Sequence, residues 1–136
     1  MGIFSFLKSK GKPFLSASDH KINLARQVEM TTKVIEQLRH IDVTDKHHLC
    51  IEYFFYANNP DNAKQLSGQL SSLGYSIYDG PSVSDKNLFI ITGWTQKMKM
   101  EDAVIAKWVN DMCDLGYKFD CEFDGWGTTP DQDENP

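Results

Sequence analysis

One strand joined directly to one helix, over residues 48–74, constrains the fold of this chain more than any other feature. The stretch HLCIEYFFYA at residues 48–57 is rich in aromatic and branched side chains on both faces, which favours a central β-strand. The next stretch begins with Asn59, a good N-cap, and with Pro60 at the first helical position. Leucines then recur at helical spacing until Gly74, a typical helix stop. The pattern therefore predicts a strand followed at once by an amphipathic helix.

The rest of the chain continues this alternation of helices and strands. A first helix is predicted at residues 19–40, with an inner face formed by Ile22, Ala25, Val28, Ile35 and Leu38. Further predicted elements are strands at residues 75–79 and 88–94, a helix at residues 101–115 ended by Gly116, and a last strand at residues 117–124. After the first helix the order is strand, helix, strand, strand, helix, strand, which is typical of the ferredoxin-like fold. We therefore predict the α+β class: a ferredoxin-like sandwich (βαββαβ) with an antiparallel sheet, neighbouring first and last strands, and an extra N-terminal helix.

The length of 136 residues fits one domain with short tails. We predict an N-terminal arm at residues 1–18, a single α+β domain at residues 19–128 that includes the first helix, and an acidic mobile tail at residues 129–136. The arm lacks the hydrophobic region of a signal peptide, and no apolar run reaches the roughly 20 residues that span a bilayer. Three cysteines without a CxxC pair indicate a reducing compartment. A protein of a reducing compartment, without a membrane partner, is therefore expected.

The distribution of charge points to the kind of partner. The formal net charge is −5, which argues against direct binding of nucleic acid through phosphate neutralisation. Residues 1–46 carry a charge of +3 and residues 47–136 a charge of −8. The acidic part can attract the basic part, meet a basic protein partner, or form a solvated surface, and the residue types leave these interpretations open.

The last predicted strand, within KFDCEFDGWGT at residues 118–128, carries the strongest candidate site. Because side chains alternate faces along a strand, its aromatic residues and Cys121 would cover the helices and its acids would point outward. Trp126, between two glycines, is either a lid on the core or an exposed anchor. The neighbouring strand would add one more carboxylate, giving an acidic group of Glu52, Asp120, Glu122 and Asp124. Such acids can protect a sheet edge, bind a protein, act in acid–base catalysis or hold a hard metal ion.

Other chemistries find little support in the sequence. There is no P-loop, no dinucleotide-binding glycine motif and no nucleophile elbow, so neither a cofactor nor a catalytic residue is predicted. His48 and Cys50 lie two residues apart, but a zinc site needs further ligands, and no metal is predicted. Cys113 lies beside Asp114, which is the wrong charge for an activated thiolate. The aromatic residues at 53–56 can stack on bases, but the acids around them count against RNA.

These residues resemble the ribonuclease E inhibitor RraB family. KFDCEFDGWGT is similar to the C-terminal motif of that family, in which a strand ends in an acidic DGWGT-like turn, here at residues 124–128. TTKVIEQL resembles the family's N-terminal helix, and the strand and helix at residues 48–74 match in order and length. The similarity covers roughly residues 29–128. The DGWGT element is its specific part, and the remainder is a match of pattern.

The resemblance implies a non-enzymatic bacterial protein of the cytoplasm that binds ribonuclease E outside its catalytic centre and inhibits or redirects RNA cleavage. The implied partner is the basic, largely disordered scaffold region of that nuclease, met by an acidic surface. On this interpretation the partner-binding residues are Glu52, Asp120, Glu122, Asp124 and Trp126, assisted in the tail by Asp131, Asp133 and Glu134.

Two alternatives remain open. The acidic tail is shorter than in the family, the strand at residues 48–57 is more aromatic, and the first residues are more basic. A divergent member can therefore serve as an interaction or toxin-neutralising module for a different protein. The other alternative is a small enzyme that uses the same carboxylates, which predicts a concave pocket around Glu52 and Glu122 and at least one raised carboxyl pKa.

Overall fold

The structure, a computed structural model, describes residues 12–132. The helices in this part of the chain are α1 (Ala17–His40), α2 (Pro60–Ser72) and α3 (Asp102–Lys118). The strands are β1 (His48–Leu49), β2 (Glu52–Ala57), β3 (Tyr78–Pro81), β4 (Phe89–Trp94), β5 (Met98–Lys99) and β6 (Glu122–Gly127). Most of the predicted arm and the end of the predicted tail, residues 1–11 and 133–136, lie outside the described residues. Between residues 12 and 132, no helix is both long and apolar enough to cross a membrane.

Four strands form one antiparallel sheet in the order β3–β4–β2–β6. The first and last strands of the βαββαβ repeat, β2 and β6, are neighbours in this sheet. The order of the elements and the preceding helix α1 confirm the predicted ferredoxin-like α+β fold with an extra N-terminal helix. The short strands β1 and β5 pair with each other in a separate two-stranded sheet.

The continuous strand predicted at residues 48–57 is wrong, because β1 and β2 are separated and pair with different strands. At the break, the amide of Ile51 donates to the hydroxyl of Thr95 at 2.9 Å, and the carbonyl of Ile51 accepts from the amide of Thr95 at 2.8 Å. Cys50 and Ile51 are as apolar as their neighbours, so the pattern alone cannot reveal the break. The strand predicted at residues 75–79 also begins three residues later, at Tyr78.

The core lies between the sheet and the helices α2 and α3. Burial alternates along β2, and Tyr53, Phe55 and Ala57 are fully buried on its inner face. Phe55 packs against Phe123 of β6 with ring centroids 5.2 Å apart. Trp108 of α3 packs edge-on against Phe123 at 5.9 Å. Burial of large apolar side chains of this kind stabilises a fold by about 1.5–3 kcal/mol each, so this cluster fixes the sheet against α3.

Helix α3 continues past Gly116 to Lys118, so the predicted helix end is wrong. Gly116 instead permits close packing of the helix on the sheet. A Cβ atom at this position would lie 2.7 Å from the carbonyl oxygen of Cys121 and 2.9 Å from the ring of Phe55. Glycine is therefore required here by contact with Phe55 of β2 and with the turn before β6, and not by the end of the helix.

The last strand begins later than predicted, because helix α3 extends beyond Gly116. β6 starts at Glu122, whereas Tyr117 still belongs to α3. Asp120 lies in the turn between them, with a left-handed φ of 58°. The predicted alternation of inward and outward residues therefore begins only at residue 122.

Helix α1 covers the edge of the sheet along β6. The amide nitrogen Nδ2 of Asn23 donates to the carbonyl oxygen of Phe123 at 2.9 Å, so the helix satisfies a backbone group of an edge strand. The residues that α1 buries are Asn23, Gln27, Thr31, Ile35 and Leu38. Exposed instead, against the prediction for the inner face, are Ile22, Ala25 and Val28. The apolar pattern is misleading here because a strand edge offers hydrogen-bonding groups to the helix.

Candidate protein-binding surface

The structure gathers part of the predicted acidic group on the sheet face opposite α2 and α3. Directly opposite residues of an antiparallel pair point to the same side of the sheet, so the register defines this face. We call it the open face; its members are Glu52, Phe54, Tyr56, Tyr78, Ile90, Thr92, Trp94 and Glu122. All of them are at least partly accessible to solvent, and Tyr78 is 58% exposed.

Both carboxylates of the open face have an aromatic residue directly across from them. Glu52 of β2 pairs with Trp94 of β4, and Glu122 of β6 pairs with Tyr56 of β2. Residues paired in this way have Cβ atoms about 4.5–5.5 Å apart. The sequence predicted acids around the aromatic residues at 53–56 but gave no role to Trp94, because that neighbour depends on the register between β2 and β4.

The two carboxylates differ in their own contacts. Glu122 Oε2 lies 3.6 Å from Nη2 of Arg26, which projects from α1. Partial burial raises the pKa of Glu122, an effect that Arg26 opposes and that Asp124 reinforces. Glu52, in contrast, forms no ion pair with any residue of the described chain. Its charge is therefore available to a partner.

Asp124 is the extra residue of a β-bulge. Phe123 pairs with Phe55 and Gly125 pairs with Phe54, so Asp124 has no opposite residue on β2. Gly125 makes this bulge possible because its φ of 132° is unfavourable for residues with a side chain. The DG of DGWGT is thus a bulge that turns the acid outward.

The surroundings of Asp124 are apolar although much of its side chain is exposed. A cavity of about 180 Å³ beside it is lined by Met30 and Val34 of α1 and by Phe54 of the open face. Partial burial raises the pKa of Asp124, and the guanidinium of Arg26 opposes this shift. Asp124 therefore lies at the border between the open face and α1.

Asp120 lies apart from these acids and is engaged within the chain. Its Oδ2 accepts from the amide of Phe14 and its Oδ1 from the amide of Leu15, both at 2.9 Å. The predicted position of Asp120 on the last strand is wrong, because it belongs to the turn after α3. Both carboxylate oxygens hold the segment that precedes α1, which gives this acid a structural role.

Trp126 has the position expected of a lid on the core. It pairs with Tyr53, which places it on the inner side of the sheet. Its indole nitrogen Nε1 donates to Oγ1 of Thr31 at 2.9 Å, and its ring packs edge-on against Trp108 at 6.4 Å. The side chain is half-buried and joins α1, α3 and β6.

The end of the DGWGT motif also has structural contacts. The hydroxyl of Thr128 donates to the carbonyl oxygen of Cys50 at 2.7 Å. Gln132 accepts from the amide of Cys50 at 2.9 Å and donates to its carbonyl oxygen at 2.8 Å. Thr128 and Gln132 thus satisfy the backbone groups of Cys50 at the break between β1 and β2. Asp131 is exposed, whereas the predicted contributors Asp133 and Glu134 lie outside the described residues.

Thiol chemistry, metal binding and carboxylate catalysis, the alternatives to protein binding, have few suitable groups in residues 12–132. Burial raises the pKa of the Cys113 and Cys121 thiols to about 12 in each case. Among residues 12–132, no three His, Cys, Asp or Glu side chains are placed to hold a metal ion. Glu122 lines a cavity of about 180 Å³ with Asn23 and Arg26, but Glu52 does not contribute to that cavity. The raised pKa that an enzyme would need is present, yet the two carboxylates do not share this pocket.

The fold and the surface together define a class of protein: a ferredoxin-like domain whose extra helix covers one sheet edge and whose open face combines carboxylates with aromatic rings. The family model of RraB, described as Regulator of ribonuclease activity B, matches residues 28–128. The match covers most of the chain, and the chain belongs to the RraB family. The predicted resemblance is confirmed.

Individual relatives agree with this family. A protein named Regulator of ribonuclease activity B from Escherichia coli (strain K12) is 30% identical over 108 residues, covering 77% of this chain and 78% of the relative. A protein of the same name from Xenorhabdus nematophila is 26% identical over 107 residues, covering 77% of this chain and 76% of the relative. These relatives are bacterial, and their names state that they regulate ribonuclease activity.

Proposed function

We propose that this protein regulates the activity of a ribonuclease of the ribonuclease E type by binding to it, without itself acting as an enzyme. The family match over residues 28–128 carries this proposal, supported by relatives named for the same regulation. The match extends from α1 to the end of the DGWGT motif. The function is therefore proposed for the whole folded domain.

The open face is the surface that we assign to the partner. Glu52 has a carboxylate without an ion pair among residues 12–132, and Glu122 and Asp124 lie on the neighbouring edge strand. A protein of net charge −5 is suited to a basic partner, because complementary charge accelerates association and disfavours wrong partners. The proposed partner-binding residues are Glu52, Glu122 and Asp124, with Asp131 as an exposed neighbour in sequence. Asp120 and Trp126 are assigned to the fold.

The partner that this surface fits is the basic scaffold region of ribonuclease E, and the proposed place of the encounter is the cytoplasm. All three cysteines are free thiols, which suits a reducing compartment. Binding outside the catalytic centre would change RNA cleavage without any contact between this acidic protein and the RNA.

Titration calorimetry of the full chain with the basic scaffold segment of ribonuclease E tests this proposal. We expect binding at about 0.1 M salt and marked weakening at about 1 M, because the Debye length falls from about 10 Å to about 3 Å. Absence of binding at low salt would overturn the proposed partner. Capture of a different protein by the same chain would then favour the interaction-module alternative.

A further inference from the structure

We propose that the open face recognises arginine side chains on an extended segment of its partner, and that it distinguishes arginine from lysine. This inference rests on the proposed function, since it names how the same surface would contact a basic ribonuclease segment. It concerns the aromatic residues of the face, which charge complementarity alone leaves without a role.

The two acid–aromatic pairs provide the chemistry for arginine. Glu52 lies opposite Trp94 and Glu122 lies opposite Tyr56. A guanidinium is planar, so it can stack on an aromatic ring while its N–H groups donate to an adjacent carboxylate. A lysine ammonium is a compact and strongly hydrated charge that pairs with the carboxylate but stacks poorly. Each pair is therefore a better site for arginine than for lysine.

The spacing of the two pairs indicates an extended partner. Glu52 and Tyr56 are four residues apart on β2, which corresponds to about 13 Å along a strand. Residues four apart on an extended segment span the same distance and point to the same side. Phe54 lies between the two pairs and faces Thr92, so the middle of the site is less polar than its ends. The fitting segment has two arginines four residues apart with an uncharged residue midway.

The carboxylates of the face are accessible to such a segment. Glu52 lacks an ion pair in the described part of the chain. Glu122 is held by Arg26 at 3.6 Å, a distance longer than a hydrogen bond, and the side chain of Arg26 is 49% exposed. A partner guanidinium can therefore approach Glu122 without displacing a tight bidentate pair.

RNA is the other polymer that an aromatic sheet face can bind, and the charges disfavour it. Bases do stack on aromatic side chains of exposed sheets, and Trp94, Tyr56 and Phe54 lie on the two central strands. Binding to a nucleic acid also requires Lys or Arg to neutralise phosphates. None of the residues that define the open face is Lys or Arg, and Arg26 at its border is already paired with Glu122. The two carboxylates of the face would repel a phosphate backbone. A basic protein segment is therefore favoured.

Four probes test the chemistry with the full-length chain. They are a Gly/Ser-based peptide with two arginines four residues apart, its twin with lysines, its twin with glutamines, and a single-stranded RNA oligonucleotide. We expect the arginine peptide to bind about fivefold more tightly than the lysine peptide, since the stacking contribution is lost with lysine. The glutamine peptide and the RNA should not bind. Equal affinity for the arginine and lysine peptides, or preference for the RNA, would overturn the inference.

Variants locate the site and separate this inference from the proposed function. E52Q should weaken the arginine peptide about threefold to tenfold, whereas E36Q, which removes the same charge from the groove between α1 and α3, should leave affinity unchanged. Y56L provides a second test, because it removes one of the two rings but no charge and should reduce the preference for arginine, which the Glu52–Trp94 pair retains in part. Equal loss in E52Q and E36Q would contradict the assignment of the binding site to the open face.

If the ribonuclease binds but E52Q and Y56L have no effect, this inference fails and the proposed function stands. If the arginine peptide binds as expected but the ribonuclease does not, the proposed function fails alone.

Discussion

The indole nitrogen of Trp126 donates a hydrogen bond to the hydroxyl of Thr31 at 2.9 Å. This contact joins the tryptophan of the DGWGT motif to the helix that covers the sheet edge. Together with the Asp124 bulge and the bond from Thr128 to Cys50, it gives most of the motif a role in the fold. The motif therefore fixes how the edge strand, α1 and the residues that follow β6 meet.

Removal of the hydroxyl of Thr31 tests this role. T31V leaves the half-buried indole N–H without its partner, so we expect the free energy of unfolding to fall by about 1 kcal/mol in denaturant titration. The neighbouring Thr32 is exposed and provides a matched control. T32V should change stability by less than about 0.5 kcal/mol. Equal effects of the two substitutions would contradict the structural role of Trp126.

The carboxylate of Asp120 is expected to hold the segment before α1. D120N keeps a residue that tolerates the left-handed backbone at this position, but it loses the charge and one of two acceptor oxygens. We expect the unfolding free energy to fall by about 1–3 kcal/mol and the amide hydrogens of Phe14 and Leu15 to exchange faster. D111N, at an exposed ion pair on α3, is the control and should change neither amide. Unchanged exchange in D120N would show that these bonds do not order the segment.

The raised pKa of Glu122 predicts a pH-dependent stability difference. Since burial lifts the folded-state pKa above its ordinary value of 4.5, the folded state binds the proton more tightly than the unfolded state. The stability contributed by protonation is present below pH 4.5 and is lost as the pH rises through the folded-state pKa. Relative to E122Q, the wild-type protein should therefore lose stability between acidic and neutral pH. A difference that grows in favour of the wild type over this range would have the wrong sign.

The cysteines should separate into two classes of reactivity. Cys113 and Cys121 are buried and their pKa values are raised to about 12, whereas Cys50 is partly exposed. A disulfide reagent at mildly alkaline pH should modify one thiol rapidly in the folded protein and all three in denaturant. C50S should abolish the rapid phase. Rapid reaction of two thiols in the native wild-type protein would contradict the packing of α3 on the sheet.

The sequence predicted the fold class because its strongest patterns, the strand and helix at residues 48–74, belong to the centre of the sandwich. It misplaced features that depend on contacts between distant segments. The helix end at Gly116 is one example, since that glycine responds to Cys121 and Phe55 across the core. The inner face of α1 is another, because Asn23 binds a strand edge through a polar side chain.

The acidic site could be predicted only in part for a related reason. Glu52 and Glu122 do lie on one face, as strand alternation requires. Asp120 is separated from them because strand β6 begins at Glu122, later than the sequence pattern indicates. Trp94 became visible as a neighbour of Glu52 only through the pairing of β2 with β4. The alternation of side chains along a strand predicts on which face of the sheet a residue lies. Its neighbours on that face depend on the register in which the strands pair.

The initial rate at which ribonuclease E cleaves an RNA substrate, measured against increasing concentrations of this protein, tests the proposed regulation most directly. The wild-type protein should lower the rate to a plateau, and the E29Q/E36Q control, altered on the exposed surface of α1, should do the same. The E52Q/E122Q variant, which loses the same number of charges from the open face, should require about tenfold more protein for half of the effect. A cleavage rate that stays constant with the wild-type protein, at low salt and with intact ribonuclease E, would contradict the proposed function.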